Sequence, residues 1–299
     1  MNKGSVKRNK MIIDAHNHPD WHNHDLNKFI ANMDQYNIDK CWLLSWEAPA
    51  AECSPSYVGV TPGGVTGSDM LIPFQHCINY KNAFPERFIL GYAPDPRDPA
   101  ACKKLRAAHS IYGAKICGEV KFRMMYDNPD ALRLFRTAGV LGMPVTLHFD
   151  YDFQKSDLDP WTEWYGGTID TLERMLQACP ETVFLGHAPG FWIHISNDEI
   201  YKERRSAPAG TPVVPGGRIP ELMRKYPNLY CDISANSGCN ALRRDPEHAV
   251  KFLTEFQDRI LYARDYFDNQ HQEFLNSLNL PETVLQKIYS LNAIKLVGE

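Results

Sequence analysis

Short apolar runs recur along the chain, and a stretch with apolar positions at helical spacing follows each of them. Runs over 11–18, 41–46, 87–92, 113–122, 144–149, 182–187, 228–233 and 259–263 predict eight strands. The intervening periodicity predicts helices over 25–36, 69–83, 99–110, 129–141, 168–178, 219–226 and 246–256. In the first of these Leu26, Phe29, Ile30 and Met33 share a face and Asp25 serves as N-cap; Pro129 suits the first turn of another. Helices over 270–277 and 281–297 close the chain. Long segments at 47–68, 150–167 and 188–217, after strands two, five and six, read as loops, the middle one carrying Trp161 and Trp164 among acidic residues.

Strand and helix in alternation imply a parallel sheet. Eight such units in 299 residues predict an α/β fold, a single (β/α)8 TIM barrel. An open doubly wound sheet is the alternative, but no Gly-rich dinucleotide fingerprint follows strand one. Residues 1–10, polar and basic, read as a flexible tail, and 11–299 as the barrel.

Composition narrows the partners. A hydrophobic share of 43% and a net charge of -4 describe a chain that buries a large core and offers no basic footprint to nucleic acid. Lys202, Arg204 and Arg205 cluster, but acidic neighbours make a solvated loop the expected reading. The eight cysteines are scattered, without a Cys-x-x-Cys, as reduced and mostly buried thiols of a cytoplasmic protein would be. No run has the length of a membrane span, and no apolar signal segment follows the basic start. The expected partner is a small-molecule substrate, with nucleic acid and membrane excluded.

The chemistry lies at the strand ends. His16 and His18, two apart on an extended chain, aim at one point. His148 ends strand five, His187 ends strand six and Asp265 follows strand eight. In a barrel these ends converge on the face that carries the active site. A single strand-end histidine can simply bond a backbone carbonyl; five metal-competent side chains at one end point to a metal centre.

With these pieces in view, the chain resembles the amidohydrolase superfamily, in particular the branch of aminocarboxymuconate-semialdehyde decarboxylase and related lactone and amide hydrolases. The matching segments are Ile-Asp-Ala-His-Asn-His at 13–18, Pro-Val-Thr-Leu-His at 144–148, Phe-Leu-Gly-His-Ala at 184–188, the stretch 259–267 and the closing Asn292-Ala293 helix. The resemblance implies that His16, His18, His148 and Asp265 bind a divalent ion, most simply one Zn2+. It further implies that His187 sits beside the activated water or polarises the substrate, and that Asp265 acts as general acid and base. The chain departs from the pattern in carrying Arg264 before that Asp, where Thr or Ser is usual, and Phe267 two residues after it, where Pro is usual.

Strand four is open to two readings. Glu119 and Lys121, two apart, both face the interior, where a charge is costly unless paired or metal-bound. Some relatives use a strand-four Glu to bridge two metals, so Glu119 either bridges a second ion or pairs with Lys121, which itself is a candidate for meeting substrate. Arg123 suits a substrate carboxylate or a surface salt bridge. Trp192 and His194, beside Phe191 in the loop after strand six, are candidate substrate contacts. His22 and His24 read as solvated or substrate-lining, and His76, His109, His248 and His271 as structural members of helices.

The leading expectation is a metal-dependent hydrolase of a small amide, lactone or related carbonyl compound, with water activated by the ion as nucleophile. The alternative is non-oxidative decarboxylation of an aromatic or unsaturated carboxylic acid. Phosphoester hydrolysis would need two metals, and a non-catalytic barrel would keep a closed four-ligand site. The resemblance also allows a homodimer.

Overall fold

The computed structural model describes residues 10–52, 54–151 and 164–298. The apolar runs form strands β1 (Ile13–Asn17), β2 (Lys40–Leu44), β3 (Trp46–Pro49), β4 (Met70–Ile72), β5 (Phe88–Gly91), β6 (Cys117–Val120), β7 (Val145–His148), β8 (Asp150–Tyr151), β9 (Trp164–Tyr165), β10 (Phe184–His187), β11 (Leu229–Asp232) and β12 (Ile260–Leu261). Between them run helices α1 (Leu26–Gln35), α2 (Pro62–Thr66), α3 (Phe74–Ala83), α4 (Ala101–Tyr112), α5 (Pro129–Val140), α6 (Ile169–Ala178), α7 (Pro189–Trp192), α8 (Arg218–Lys225), α9 (Ala235–Arg243), α10 (Pro246–Glu255), α11 (Gln270–Ser277), α12 (Glu282–Gln286) and α13 (Asn292–Val297).

Parallel pairing gives the orders β1-β2-β5 and β6-β7-β10-β11-β12. A bridge between Gly91 and Ile116 joins β5 to β6. At the other seam Ala15 N donates to Tyr262 O at 3.0 Å, so β12 closes on β1 and the eight strands form the expected (β/α)8 barrel. Pairs β3–β4 and β8–β9 are antiparallel ribbons outside it.

Alternation sorts the side chains. Ile13, Ala15, Trp42, Leu44, Ile89, Leu185 and Leu261 make one buried cluster inside the barrel. Cys41, Leu43, Phe88 and Leu90 join the larger layer between sheet and helices. In β1 this alternation is broken. Asp14 pairs with Cys41 and Asn17 with Leu43, so Ala15 and His16 together oppose Trp42. This bulge hands the inward face from Ile13 and Ala15 to His16 and His18.

Local chemistry explains the helix starts. Asp25 caps α1 by accepting from Lys28 N at 2.9 Å, and Asn128 and Asp245 cap α5 and α10, each followed by Pro in the first turn. Two expectations need correction. The segment 69–73 is not the start of a helix: Leu71 and Ile72 are buried in β4 opposite β3, and α3 begins only after Pro73. The supposed loop 47–68 accordingly holds β3 and α2, with Gly63 so close to β4 that a Cβ would stand 1.8 Å from Met70 O. Helix α9, absent from the periodicity, fills the space after β11; its Asn236, Ser237, Gly238 and Asn240 carry little apolar signal. The segment 188–217 likewise carries α7 and short 3-10 turns.

The seven described cysteines are free thiols, six of them buried. Among the described residues, no helix is long and apolar enough to cross a membrane. The tail 1–9 and Trp161 lie outside the described residues.

Candidate metal centre

The strand ends bring the predicted side chains together. His16 and His18 leave β1, Glu119 projects from β6, and His148 and His187 end β7 and β10. Asp265 follows β12 with φ 55°, a left-handed conformation strained for a residue with a Cβ. Two hydrogen bonds hold it there: its N–H donates to His16 O at 2.8 Å, and Trp21 Nε1 donates to its carbonyl at 2.7 Å.

Orientation of the imidazoles follows from their partners. His16 Nδ1 faces Asp232 Oδ2 at 3.0 Å and His187 Nδ1 faces Asp232 Oδ1 at 3.1 Å. An ionised carboxylate only accepts, so Nδ1 of each ring carries the proton and Nε2 the lone pair. Similarly His18 Nδ1 donates to Leu44 O at 2.8 Å. The three Nε2 atoms are thereby turned toward one space, together with the carboxylates of Asp265 and Glu119. His18 Nε2 stands 3.6 Å from Asp265 Oδ1 and 3.4 Å from Glu119 Oε2, and His187 Nε2 stands 3.6 Å from Glu119 Oε1.

Two sets, His16–His18–Asp265 and His16–Glu119–His187, each present donor atoms within 4.8 Å of one another. His16 Nε2 and Asp265 Oδ1 are buried without any hydrogen-bond partner. Orphaned buried polar atoms are costly, and a divalent cation among them removes that cost. The donors therefore fit a metal, and an all-nitrogen-and-oxygen set suits zinc and manganese alike. His148 is placed differently from the other histidines. Its Nδ1 donates to Glu119 Oε1 at 2.7 Å, its Nε2 faces Asp150 Oδ2 at 3.8 Å, and it belongs to neither set.

The charges are strongly coupled. Burial would lower the His16 pKa, but the carboxylates of Asp232, Glu119 and Asp265 outweigh it and push it up to about 10. For His187 burial prevails, and its pKa is lowered despite Asp232. Burial would raise Glu119, yet the Lys121 charge and His148 hold it well below the usual carboxylate range. Asp232, fully buried, is likewise held far down against desolvation by His187 and His16.

Asp232 was absent from the expected set. The rule that found His148 and His187 also singles out the last residue of β11, but a lone Asp in a run without histidine gave no metal signal. Arg264 accounts for the departure noted before Asp265. It is fully buried, its Nε donates to Asp14 Oδ2 at 2.8 Å and its NH1 to Asn32 Oδ1 at 2.8 Å. This pair fastens β12 to β1 directly beneath His16 and Asp265.

A cavity of about 150 Å³ opens over the centre, lined by His148, His187 and Asp265 and by Trp21, Tyr57, Lys121, Arg205, Asn236 and Tyr266. A larger hollow of about 400 Å³ between α8 and α10 contains none of the strand-end donors, so chemistry rather than size selects the site. Arg205 corrects the expectation of a wholly solvated basic loop: it reaches in to pair with the buried Asp150, with Nε 3.1 Å from Oδ1. Of the expected substrate contacts, Lys121 lines the cavity and Arg123, Trp192 and His194 do not. Trp192 donates to Asp232 O at 3.1 Å from behind, and His194 Nε2 pairs with the Tyr151 hydroxyl. His24 stacks on Phe267 with centroids 3.7 Å apart, and His22 packs between the rings of Trp21 and Tyr266.

Comparison with known proteins places these features. A family profile described as Amidohydrolase matches residues 13–298. No curated protein matches. Among solved structures, 2,6-dihydroxybenzoate decarboxylase from Rhizobium is similar with a TM-score of 0.62 at 17% identity, over 97% of this chain and 99% of that one. Dihydroxybenzoic acid decarboxylase from Polaromonas sp. JS666, with bound manganese and the inhibitor 2-nitroresorcinol, gives 0.63 at 16% identity, over 97% of both chains. 5-Carboxyvanillate decarboxylase from Sphingomonas paucimobilis gives 0.60 at 15% identity, over 96% and 99%. At these identities the likeness is one of fold.

Proposed function

The chain belongs to the amidohydrolase family, and from that premise we propose that it is a metal-dependent decarboxylase of an aromatic or unsaturated carboxylic acid. The observation that carries this reading is the cavity wall. Trp21, Tyr57 and Tyr266 line it together with the cations Lys121 and Arg205 and the donors His148, His187 and Asp265. Such a wall suits a planar body bearing negative charge. The names of the similar structures, decarboxylases of hydroxylated benzoates and of a carboxyvanillate, support the same reading.

Held by His16, His18 and Asp265 with Glu119 and His187 beside them, a divalent ion would supply Lewis-acid stabilisation of charge on the substrate oxygens. The sequence alone favoured zinc; the manganese in the Polaromonas structure gives that ion equal standing. The chain's own residues do the rest. Tyr57 and Tyr266 confine the ring, and Asp232 fixes His16 and His187. Asp265, whose Oδ1 has no other partner, hands a proton to the carbon that bears the carboxylate. The C–C bond then breaks, its electron pair stays on that carbon, and carbon dioxide departs. Solvent restores the proton to Asp265.

Hydrolysis of an amide or lactone is the second reading, favoured by the same unpartnered Oδ1, which can equally take a proton from water and pass it to a leaving group. Metal-loaded protein offered a panel of hydroxybenzoates, lactones and amides decides between them. Release of carbon dioxide, lost about a hundredfold or more in Asp265→Asn with metal retained, is the expected result. Hydrolytic product without carbon dioxide moves the assignment to the second reading. Tight metal binding with neither activity refutes both and leaves a structural site.

A further inference from the structure

One part of the cavity wall, the Lys121 ammonium, has no step assigned to it in the proposed chemistry. The side chain is 4% exposed, and the cavity is where it meets open space. Nζ sits 4.2 Å from the centroid of Trp46, 4.3 Å from Tyr57 and 5.5 Å from Tyr165. It donates to Tyr57 Oη at 3.0 Å. Three aromatic faces hold a cation in place without neutralising it. An ammonium has three donors and Tyr57 takes one. Among the described residues no carboxylate stands in ion-pair contact with Nζ, whereas the other cation of the cavity, Arg205, is engaged by Asp150. Glu119 meets this charge only at longer range, so two donors of the ammonium remain for an arriving anion.

What that anion is follows from the direction of charge flow. Decarboxylation turns the departing carboxylate into neutral carbon dioxide. A cation fixed on that group would stabilise the substrate more than the transition state and slow the reaction. Lys121 assists only if it holds a different anion, one that survives turnover. A phenol, with a pKa near 10, is neutral at physiological pH; a second carboxylate is not. Resting on the decarboxylase reading above, we propose that the substrate is a dicarboxylic acid whose retained carboxylate is bound by the Lys121 ammonium on its cavity side, the Trp46, Tyr57 and Tyr165 rings holding that ammonium in place from behind.

Binding can be read without turnover, so the two proposals fail separately. Calorimetric titration of the metal-loaded protein with benzene-1,3-dicarboxylate, 3-carbamoylbenzoate and benzoate compares a second anion with its neutral isostere and with hydrogen. The dicarboxylate should bind about tenfold or more tightly than the amide. Lys121→Met should abolish that difference, and Lys121→Arg should restore part of it. Equal affinity of the wild-type protein for the dicarboxylate and the amide overturns the proposal whether or not the variants fold. So does a preference that persists in a folded Lys121→Met. Absence of carbon dioxide from any acid, with the dicarboxylate preference intact, overturns the decarboxylase reading alone.

Discussion

Asp232 is the strongest point at which to test the geometry, because one carboxylate there orients two imidazoles. Its Oδ2 and Oδ1 accept from Nδ1 of His16 and His187, and Ser234 Oγ reaches Oδ1 at 2.5 Å. Asp232→Asn keeps the volume and leaves one accepting oxygen. Ser234 N–H donates to the Oδ1 position at 3.1 Å and Ser234 Oγ stands 2.8 Å from His187 Nδ1, so the amide nitrogen takes the Oδ2 side and faces His16 Nδ1–H, donor against donor. That ring escapes by moving its proton to Nε2, which points a hydrogen instead of a lone pair at the cation. Loss of the group behind a metal-binding histidine typically costs about 10–100-fold in metal affinity. With one ring affected the expected loss lies within that range, about 1.4–2.7 kcal/mol. Competition of the variant against a chromogenic chelator measures this, and 15N spectra of the imidazoles report which nitrogen is protonated. A metal affinity within about threefold of wild type, with both rings still Nδ1-protonated, would refute the argument.

Breaking the fully buried Asp14–Arg264 pair by Arg264→Ala should cost about 3–5 kcal/mol in urea denaturation, with the Asp14→Ala/Arg264→Ala double variant losing less than the sum; additive losses would show the two to be uncoupled. Acid should destabilise the protein through His194. Burial, helped by Arg218, lowers its pKa from 6.5 to about 4. Between those values the unfolded chain binds a proton that the folded one refuses, so stability is full above pH 6.5 and falls by about 2–3 kcal/mol toward pH 4. In His194→Gln the pH dependence of denaturation over that window should shrink by this amount, and an unchanged slope would contradict the assignment. Removal of metal by a chelator should lower Tm, since a ligand at about a thousand times its Kd adds about 4 kcal/mol to the folded state. Identical melting of stripped and manganese-loaded protein would show that the donors do not bind it.

How far the sequence revealed this centre can be judged residue by residue. The barrel was legible because its strands are short Ile-, Val- and Leu-rich runs bounded by Pro and Gly, a pattern that needs no tertiary information. His16, His18, His187 and Asp265 were legible because residue type and position at a strand end coincided. The position of His148 was legible too, but not that its ring turns to Glu119, since ring orientation depends on a partner 29 residues earlier in the chain. Asp232 acts through contacts to residues 216 and 45 positions away and Arg205 through a partner 55 positions away, which no local pattern encodes. The β3–β4 ribbon was hidden by the Pro- and Gly-rich stretch between its strands. The bulge in β1 was hidden because period-two alternation predicts the right pair of histidines for an incomplete reason: it explains why His16 and His18 share a face, not why that face turns inward after Ala15.

The seam between β12 and β1 carries a consequence for biosynthesis. His16 leaves the first strand of the barrel and Asp265 the last, and their meeting depends on bonds that join Ala15 to Tyr262 and Asp14 to Arg264. A nascent polypeptide that stops before its eighth barrel strand keeps His16, His18, Glu119 and His187 but lacks Asp265 and the Arg264 contact to Asp14. Assembly of the His16–His18–Asp265 set is thus deferred until that strand has been made.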